Sequence, residues 1–217
     1  MGGAYLFYGR LSIKMEDMQS MLKPEVPNTA RIVQLMGQLA PLEGYNLSPL
    51  DDVRFLRSNR PLTRTPVLYE PGIVILCQGQ KRGYLGDEVY VYDAQHYLVV
   101  SVPVPFTMET DASEAEPMLA VYLRLDFTLA GELIQQVDEV WNISVAQPMG
   151  MYASPMDEPL RQSTLHFLEV MGDRIDAQIL GPAMLRELYY RILTGEQGGT
   201  LRAAIAQQGQ FGKVSRA

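Results

Sequence analysis

Apolar residues are densest between Val67 and Pro105, where they form three runs rich in β-branched and aromatic residues. The runs are Val67–Gln78, Tyr84–Tyr92 and Tyr97–Val102, separated by the turn-forming sequences GQKRG and DAQH. The first and third are apolar at nearly every position, which is typical of strands buried on both faces, whereas the middle run alternates valine with tyrosine. The pattern predicts a strand meander in a small sandwich or barrel.

Residues on either side of the meander predict helices and a few further strands. The predicted helices are Ser12–Leu22, Ala30–Leu39 with Asn28 as N-cap, Leu129–Trp141, a helix capped by Asp157, Pro182–Thr194 and Thr200–Gln208. The predicted strands are Val53–Leu56, Leu62–Val67 and Met118–Leu125, and the acidic sequence 108–117 reads as a loop. We therefore expect a helical segment at 1–40, a β-barrel with an attached helix at 41–145 and a helical region at 146–217.

Charge and composition narrow the class of protein. The 217 residues carry a net charge of −7, with 47% hydrophobic and 20% charged residues, as in ordinary globular domains. Phosphate binding needs clustered Lys and Arg, which the sequence lacks, so we do not expect this chain to bind nucleic acid by itself. No apolar run approaches the roughly 20 residues of a membrane helix. We expect a soluble cytoplasmic protein with no membrane partner.

The residue types that carry catalysis or bind metals are sparse. The two histidines, His96 and His166, have no His or Glu at ligand spacing, so we expect neither a metal nor another cofactor. His96 can be a hydrogen-bonded structural residue or a ligand contact. Cys77 lies in an apolar run and is predicted to be a small buried hydrophobe instead of a redox thiol. With no paired acid and base either, we expect no enzyme.

The aromatic residues on the predicted strands favour small-molecule binding as the function. Tyrosines lie on or beside the predicted strands, at positions 69, 84, 90, 92, 97 and 122. A container lined by aromatic rings with a few polar tips suits a small ligand, although each tyrosine can equally be core filler. Trp141 falls on the apolar stripe of its helix and is predicted to be a core residue.

Three blocks of sequence resemble a known family. They are TRTPVLYEPGIVILCQGQKRGYLGDEVYVYDAQHYLVVSVPVPFTMET (63–110), YASPMDEPL (152–160) and GPAMLRELYYRILTGEQGGTLR (181–202). In order and spacing they resemble the N-terminal domain of a subgroup of AraC-type transcriptional regulators, and the likeness extends over about residues 27–214. It implies an α+β fold: a cupin-like β-barrel of jelly-roll type followed by C-terminal helices, used for effector binding and dimerisation.

The resemblance also implies partners and site residues. Promoter DNA would be bound by a C-terminal pair of helix-turn-helix motifs that this sequence lacks, and the full-length protein could contact RNA polymerase. Gln78 and Met118 resemble positions that contact the sugar in the arabinose-responsive member. Together with the barrel residues they give a candidate effector site consisting of Tyr69, Gln78, His96, Met118 and Tyr122.

The helix Pro182–Thr194 resembles the segment by which the family pairs protomers. Its apolar stripe, Leu185, Leu188, Tyr189 and Ile192, fits either a two-fold contact in a homodimer or packing onto its own barrel. The leading hypothesis is a regulatory domain that binds a small-molecule effector and dimerises. A small-molecule cupin enzyme, with or without a metal, and a ligand-free dimerisation scaffold are the alternatives.

Overall fold

The structure is a computed structural model that describes residues 5–8, 11–14, 28–141 and 146–214. Its strands are β1 (Tyr5–Tyr8), β2 (Leu11–Lys14), β3 (Gly44–Leu47), β4 (Val53–Ser58), β5 (Leu62–Tyr69), β6 (Gly72–Gln78), β7 (Gln80–Leu85), β8 (Glu88–Asp93), β9 (His96–Val100), β10 (Val104–Asp111), β11 (Met118–Arg124) and β12 (Met151–Pro155). Its helices are α1 (Asn28–Leu39), α2 (Phe127–Val140), α3 (Glu158–Met171), α4 (Arg174–Ile179), α5 (Gly181–Thr194) and α6 (Gly198–Val214).

Two large antiparallel sheets, a separate antiparallel pair β1-β2 and the C-terminal helices make an α+β fold, as the sequence predicts. One sheet has six strands in the order β12-β9-β6-β11-β4-β3, and the other has four in the order β5-β10-β7-β8. Within the described ranges no ladder of hydrogen bonds joins these two sheets, so the predicted closed barrel is not seen. The sheets instead share a core, which is the arrangement of a sandwich.

The six-stranded sheet is covered on both faces. Because side chains alternate along a strand, Ile73 and Ile75 of β6 pack against the helices, whereas Val74 and Leu76 pack toward the four-stranded sheet. We call the first layer the helix-side core and the second the inter-sheet core. The predicted burial on both faces is confirmed for β6 and β9, but it is wrong for Val67–Tyr69, which ends β5 and includes the exposed Leu68.

The connection between β6 and β7 differs from the predicted turn. The sequence GQKRG was expected to form a turn, but only Gly79 breaks the strands, with a φ of 84°, and Lys81, Arg82 and Gly83 belong to β7. A positive φ is a conformation that glycine adopts readily, so Gly79 lets the chain cross from one sheet to the other. Lys81 therefore lies in a strand, with its side chain in the interior.

Strand β10 was missed in the sequence analysis, which ended the last apolar run at Val102 and placed a loop at 108–117. Its side chains alternate between interior and solvent, and Val104, Phe106, Met108 and Thr110 are buried. The signal was the period-two pattern, obscured by Pro105 and by the polar and acidic residues on the solvent face.

Three predictions about the helices have different outcomes. Asp157 caps α3 as predicted, because its carboxylate accepts a hydrogen bond from the Leu160 amide at 2.8 Å. The predicted burial of Trp141 is wrong: α2 ends at Val140, and the Trp141 side chain is 58% exposed. The helix predicted from Ser12 is replaced by strand β2 over Leu11–Lys14, and the rest of that prediction lies outside the described residues.

Candidate functional site

A cleft opens where the inner face of the six-stranded sheet meets the end of β5. It has a volume of about 230 Å³ and is lined by Tyr45, Arg54, Leu56, Leu68, Tyr69, Glu70, Val74 and Tyr122. The register places these side chains together, because Tyr122 pairs with Arg54 on one side and Val74 on the other. Paired residues of neighbouring strands point to the same face of a sheet.

Tyr122 forms one wall of the cleft. Its ring lies over Gly72, where a Cβ atom would overlap the ring, so glycine at that position makes room for the tyrosine. The hydroxyl donates a long hydrogen bond of 3.4 Å to the Pro71 carbonyl. Burial raises the pKa of Tyr122, so at neutral pH the side chain is a phenol that can donate to a ligand.

Tyr69 connects the cleft to the interior. Its ring packs edge-on against Phe106, with the ring centroids 4.7 Å apart. Its hydroxyl accepts a hydrogen bond from the Lys81 ammonium at 3.0 Å and lies 3.2 Å from the Met108 sulfur. Lys81 is 3% exposed, which is rare for a lysine. The cleft is therefore backed by a buried positive charge.

Of the predicted effector residues, Tyr69 and Tyr122 meet in the cleft and the others do not. Gln78 lies at the end of β6, where its amide donates to the Pro117 carbonyl at 2.8 Å, and the neighbouring Met118 is buried in the inter-sheet core. His96 begins β9, and its Nδ1 lies 2.9 Å from the Asp93 carboxylate. That contact matches the hydrogen-bonded structural interpretation of His96.

The apolar stripe of α5 faces its own chain. Leu188, Tyr189 and Ile192 are at most 1% exposed and belong to the helix-side core, and Leu185 packs partly buried against it. The Tyr189 hydroxyl accepts from the Asp126 amide at 2.8 Å and donates to the Arg124 carbonyl at 2.7 Å. The structure matches the second of the two interpretations of this stripe, packing within its own chain, and dimerisation stays a prediction.

Thiol and metal chemistry are not prominent in the described residues. Cys77 is buried in the helix-side core, as predicted, and burial raises the pKa of its thiol to about 12. A thiol that stays protonated at neutral pH is a poor nucleophile. In the described ranges, no three His, Cys, Asp or Glu side chains group as metal ligands would.

Comparison with protein families identifies the fold's relatives. Residues 49–200 match the family described as AraC-type transcriptional regulator N-terminus. The chain belongs to this family. The match contains the whole cleft except Tyr45, together with Lys81 and helices α2 to α5. No curated protein gave a match.

Solved structures of ToxT from Vibrio cholerae are similar to this AraC-type chain at low identity. An apo ToxT variant of strain SCE256 has 9% identity and a TM-score of 0.46, covering 72% of this chain and 58% of that chain. Wild-type ToxT of the same strain, with an unsaturated fatty acid bound, has 9% identity and a TM-score of 0.43, covering 74% and 58%. The AraC-type chain thus spans less than two thirds of the length of these ToxT chains.

Sequence reasoning missed Lys81, Tyr45 and Arg54 as site residues. Lys81 was assigned to a solvated turn because glycines flank the KR pair, and only the register of β7 reveals that it points inward. Tyr45 lies on β3, an edge strand of the six-stranded sheet, and Arg54 lies on the neighbouring strand β4. Their approach to Tyr69 depends on how the two sheets face each other, which no local pattern encodes.

In the described residues, no helix is both long and apolar enough to span a membrane.

Proposed function

We propose that this chain is the effector-binding and dimerisation half of a cytoplasmic transcription regulator and not an enzyme. Its small-molecule effector would bind in the cleft between the sheets. Promoter DNA and RNA polymerase would be contacted through a DNA-binding domain outside this chain. The observation that carries the proposal is that this chain, a member of the AraC-type family, has a cleft lined by Tyr69 and Tyr122 with the buried Lys81 behind it.

The cleft suits a compact effector. Its volume of about 230 Å³ lies below the roughly 300–1,000 Å³ usual for drug-sized ligands. Tyrosine rings and Leu56 offer apolar contact, while Arg54, Glu70 and the phenol hydroxyls can fix the orientation of a polar group. The ToxT structures include one with an unsaturated fatty acid. We infer a small ligand that is mostly apolar and has few polar groups.

Contacts at the end of β11 offer a route from the cleft to the trailing helices. Tyr122 lines the cleft, and two residues later the Arg124 carbonyl accepts the hydrogen bond from Tyr189 of α5. A ligand that shifts β11 would therefore change how α5 packs in the helix-side core. Such a shift needs different ligand affinities for two states of the domain.

Two finer features belong to the same proposal. The sandwich is related to the cupin-like jelly roll, with the two sheets corresponding to its halves. The active form is a homodimer, whose contact would use surfaces other than the buried stripe of α5. Light scattering on the purified chain measures its mass, and a monomer at high concentration would contradict dimerisation.

A cleft-filling variant tests the binding site. Leu56→Trp should place a ring in the cleft, and Leu42→Trp is the control because Leu42 is 68% exposed. A thermal-shift screen of cellular metabolites should find compounds that stabilise the wild-type chain, since a ligand of the native state raises its stability. Those compounds should stabilise L42W and lose their effect on L56W. A screen in which no metabolite stabilises the chain would instead favour the ligand-free scaffold.

A further inference from the structure

Lys81 carries a buried charge that no carboxylate balances. Its side chain lies between the sheets at 3% exposure, and its one hydrogen bond to the described residues goes to the Tyr69 hydroxyl. None of the ion pairs formed by the described residues involves Lys81. An ammonium group has three donors, and burying it without an anion is costly. A single phenol is weak compensation for that cost.

Two hydroxyl groups beside Lys81 are also without partners. The register pairs Lys81 with Tyr92 of β8 on one side and Thr110 of β10 on the other, and all three side chains are buried. Neither the Tyr92 hydroxyl nor the Thr110 hydroxyl has a partner among the described residues at normal hydrogen-bond distance and angle, although Tyr69 lies close enough to Tyr92 to interact with it weakly. Buried polar groups in native proteins are nearly always hydrogen-bonded, so such orphans need an explanation.

Tyr69 stands between this polar group and the cleft. Its ring lines the cleft, while its hydroxyl touches the Lys81 ammonium. Burial and the nearby Tyr69 raise the pKa of Tyr92 well above its usual value, so the Tyr92 hydroxyl keeps its proton and stays a donor. A rotation of the Tyr69 side chain would free one ammonium donor and remove the hydroxyl that separates it from the cleft.

We propose that Lys81, Tyr92 and Thr110 form a subsite for the carboxylate of a small organic acid whose apolar body occupies the cleft. This inference rests on the proposed function. In the unliganded chain the Tyr69 hydroxyl takes the place of one carboxylate oxygen on Lys81. A monoanion fits better than a phosphate dianion, because one ammonium and two neutral hydroxyls supply a single positive charge.

Matched acids and amides separate the charge from the shape of the ligand. The probes are hexanoate against hexanamide and benzoate against benzamide, titrated by calorimetry into the 217-residue chain. A charged hydrogen-bonded contact should make at least one acid bind about tenfold or more tightly than its amide. Lys81→Met should remove this preference and leave the amide affinity unchanged. Tyr92→Phe should weaken acid binding several-fold with little effect on the amide.

A neighbouring arginine provides the control for net charge. Arg82→Met removes one positive charge from the adjacent position, on the opposite face of β7, where Arg82 pairs with Glu109 and Asp111. R82M should retain the preference for acids. The unliganded K81M chain should melt at the same temperature as the wild type or higher, because methionine replaces an unpaired buried charge with an apolar group of similar length.

The outcomes distinguish the two proposals. Equal binding of acid and amide by the wild type, or an acid preference that survives in K81M, overturns the carboxylate subsite and leaves the cleft as a ligand site. Binding of neither probe of either pair overturns the subsite, and a metabolite screen that also finds no ligand overturns the proposed function. An acid preference lost equally in K81M and R82M would indicate a general charge effect and overturn the subsite as well.

Discussion

The two faces of the six-stranded sheet are built on different principles. In the helix-side core the buried hydroxyl of Tyr189 is satisfied by two backbone groups, whereas the hydroxyl of Tyr152 has no hydrogen-bond partner among the described residues. The inter-sheet core has a comparable apolar lining and also holds the unpaired hydroxyls of Tyr92 and Thr110. The difference between the faces is the buried ammonium of Lys81, which lies beside those two hydroxyls and which no carboxylate of the described residues pairs. Binding sites leave donors for a ligand, so this charged group favours recognition at the inter-sheet face and leaves the helix side mainly to stability.

The largest effect is expected for the reactivity of Cys77, which tests whether the helix-side core is sealed. Burial raises its thiol pKa to about 12, so at pH 8 the thiolate fraction falls by on the order of 10³ relative to a free cysteine of pKa near 8.5. Iodoacetamide should therefore modify the native chain at least that much more slowly than the chain in guanidinium. Because Cys77 is the single cysteine, mass spectrometry reads the rate directly. Native labelling at the rate of a free thiol would show that this core admits solvent.

Truncating one phenylalanine in each core compares their packing. Phe167 is fully buried in the helix-side core, so Phe167→Ala should lower the free energy of unfolding by about 3–5 kcal/mol. Phe106 supports the Tyr69 ring beside the open cleft, and water can enter the space that Phe106→Ala leaves, so its loss should be smaller. Urea unfolding of both variants gives the two values. A larger loss for F106A would reverse the assignment of stability to the helix side.

The same variants should differ in ligand binding. F106A should lose the stabilisation given by any metabolite found for the wild type, because Tyr69 is no longer held at the cleft. F167A should keep that stabilisation once its lower starting stability is taken into account. Loss of ligand response in F167A alone would contradict the division of roles between the two cores.

The contrast between the cores explains which features the sequence could reveal. Runs such as IVIL in β6 predict strands buried on both faces, and Asp157 predicts a helix start, because these signals depend on neighbours along the chain. The position of Lys81 depends on strand pairing with Tyr92 and Thr110, and so on contacts between residues distant in sequence. Its glycine-flanked KR sequence favoured a turn. Of the eight residues that line the cleft, the sequence analysis predicted Tyr69 and Tyr122, and it did not predict the buried lysine behind them.

Removing one tyrosine hydroxyl from each core tests the contrast by a single chemical change. Tyr189→Phe leaves the Asp126 amide and the Arg124 carbonyl without their partner and should cost about 1–3 kcal/mol. Tyr92→Phe removes a hydroxyl that has no partner among the described residues, so the unliganded chain should change by less than about 0.5 kcal/mol or become more stable. Equal losses in urea unfolding would mean that the inter-sheet core satisfies its hydroxyls after all.

The smallest effect concerns acid stability at the edge of the helix layer. The Ser163 hydroxyl donates to the Glu187 carboxylate at 2.7 Å, and this bond, with support from Arg191, holds the pKa of Glu187 below its usual value. A carboxylate whose pKa is lowered by folding stabilises the native state above its unfolded pKa, near 4.3 for glutamate. That stabilisation disappears as the pH falls through the lower folded pKa. Ser163→Ala should therefore reduce the difference in urea midpoint between pH 7 and pH 3.

A matched hydroxyl provides the control for this pH dependence. Ser163 and Thr194 both donate to a backbone carbonyl four residues earlier in their helices, at 2.9 and 2.8 Å, but no hydrogen bond from the Thr194 hydroxyl to a carboxylate is seen within the described residues. Thr194→Ala should change stability equally at both pH values, whereas S163A should lose more at pH 7. The difference should be smaller than the loss in Y189F, because the Glu187 side chain is 34% exposed and ion pairs near the surface contribute little. If S163A and T194A respond identically to pH, the Ser163–Glu187 bond does not hold the carboxylate in its charged form. The loss of stability at low pH would then have to come from other carboxylates. The inter-sheet core would not be its source, because no carboxylate of the described residues pairs with Lys81 there.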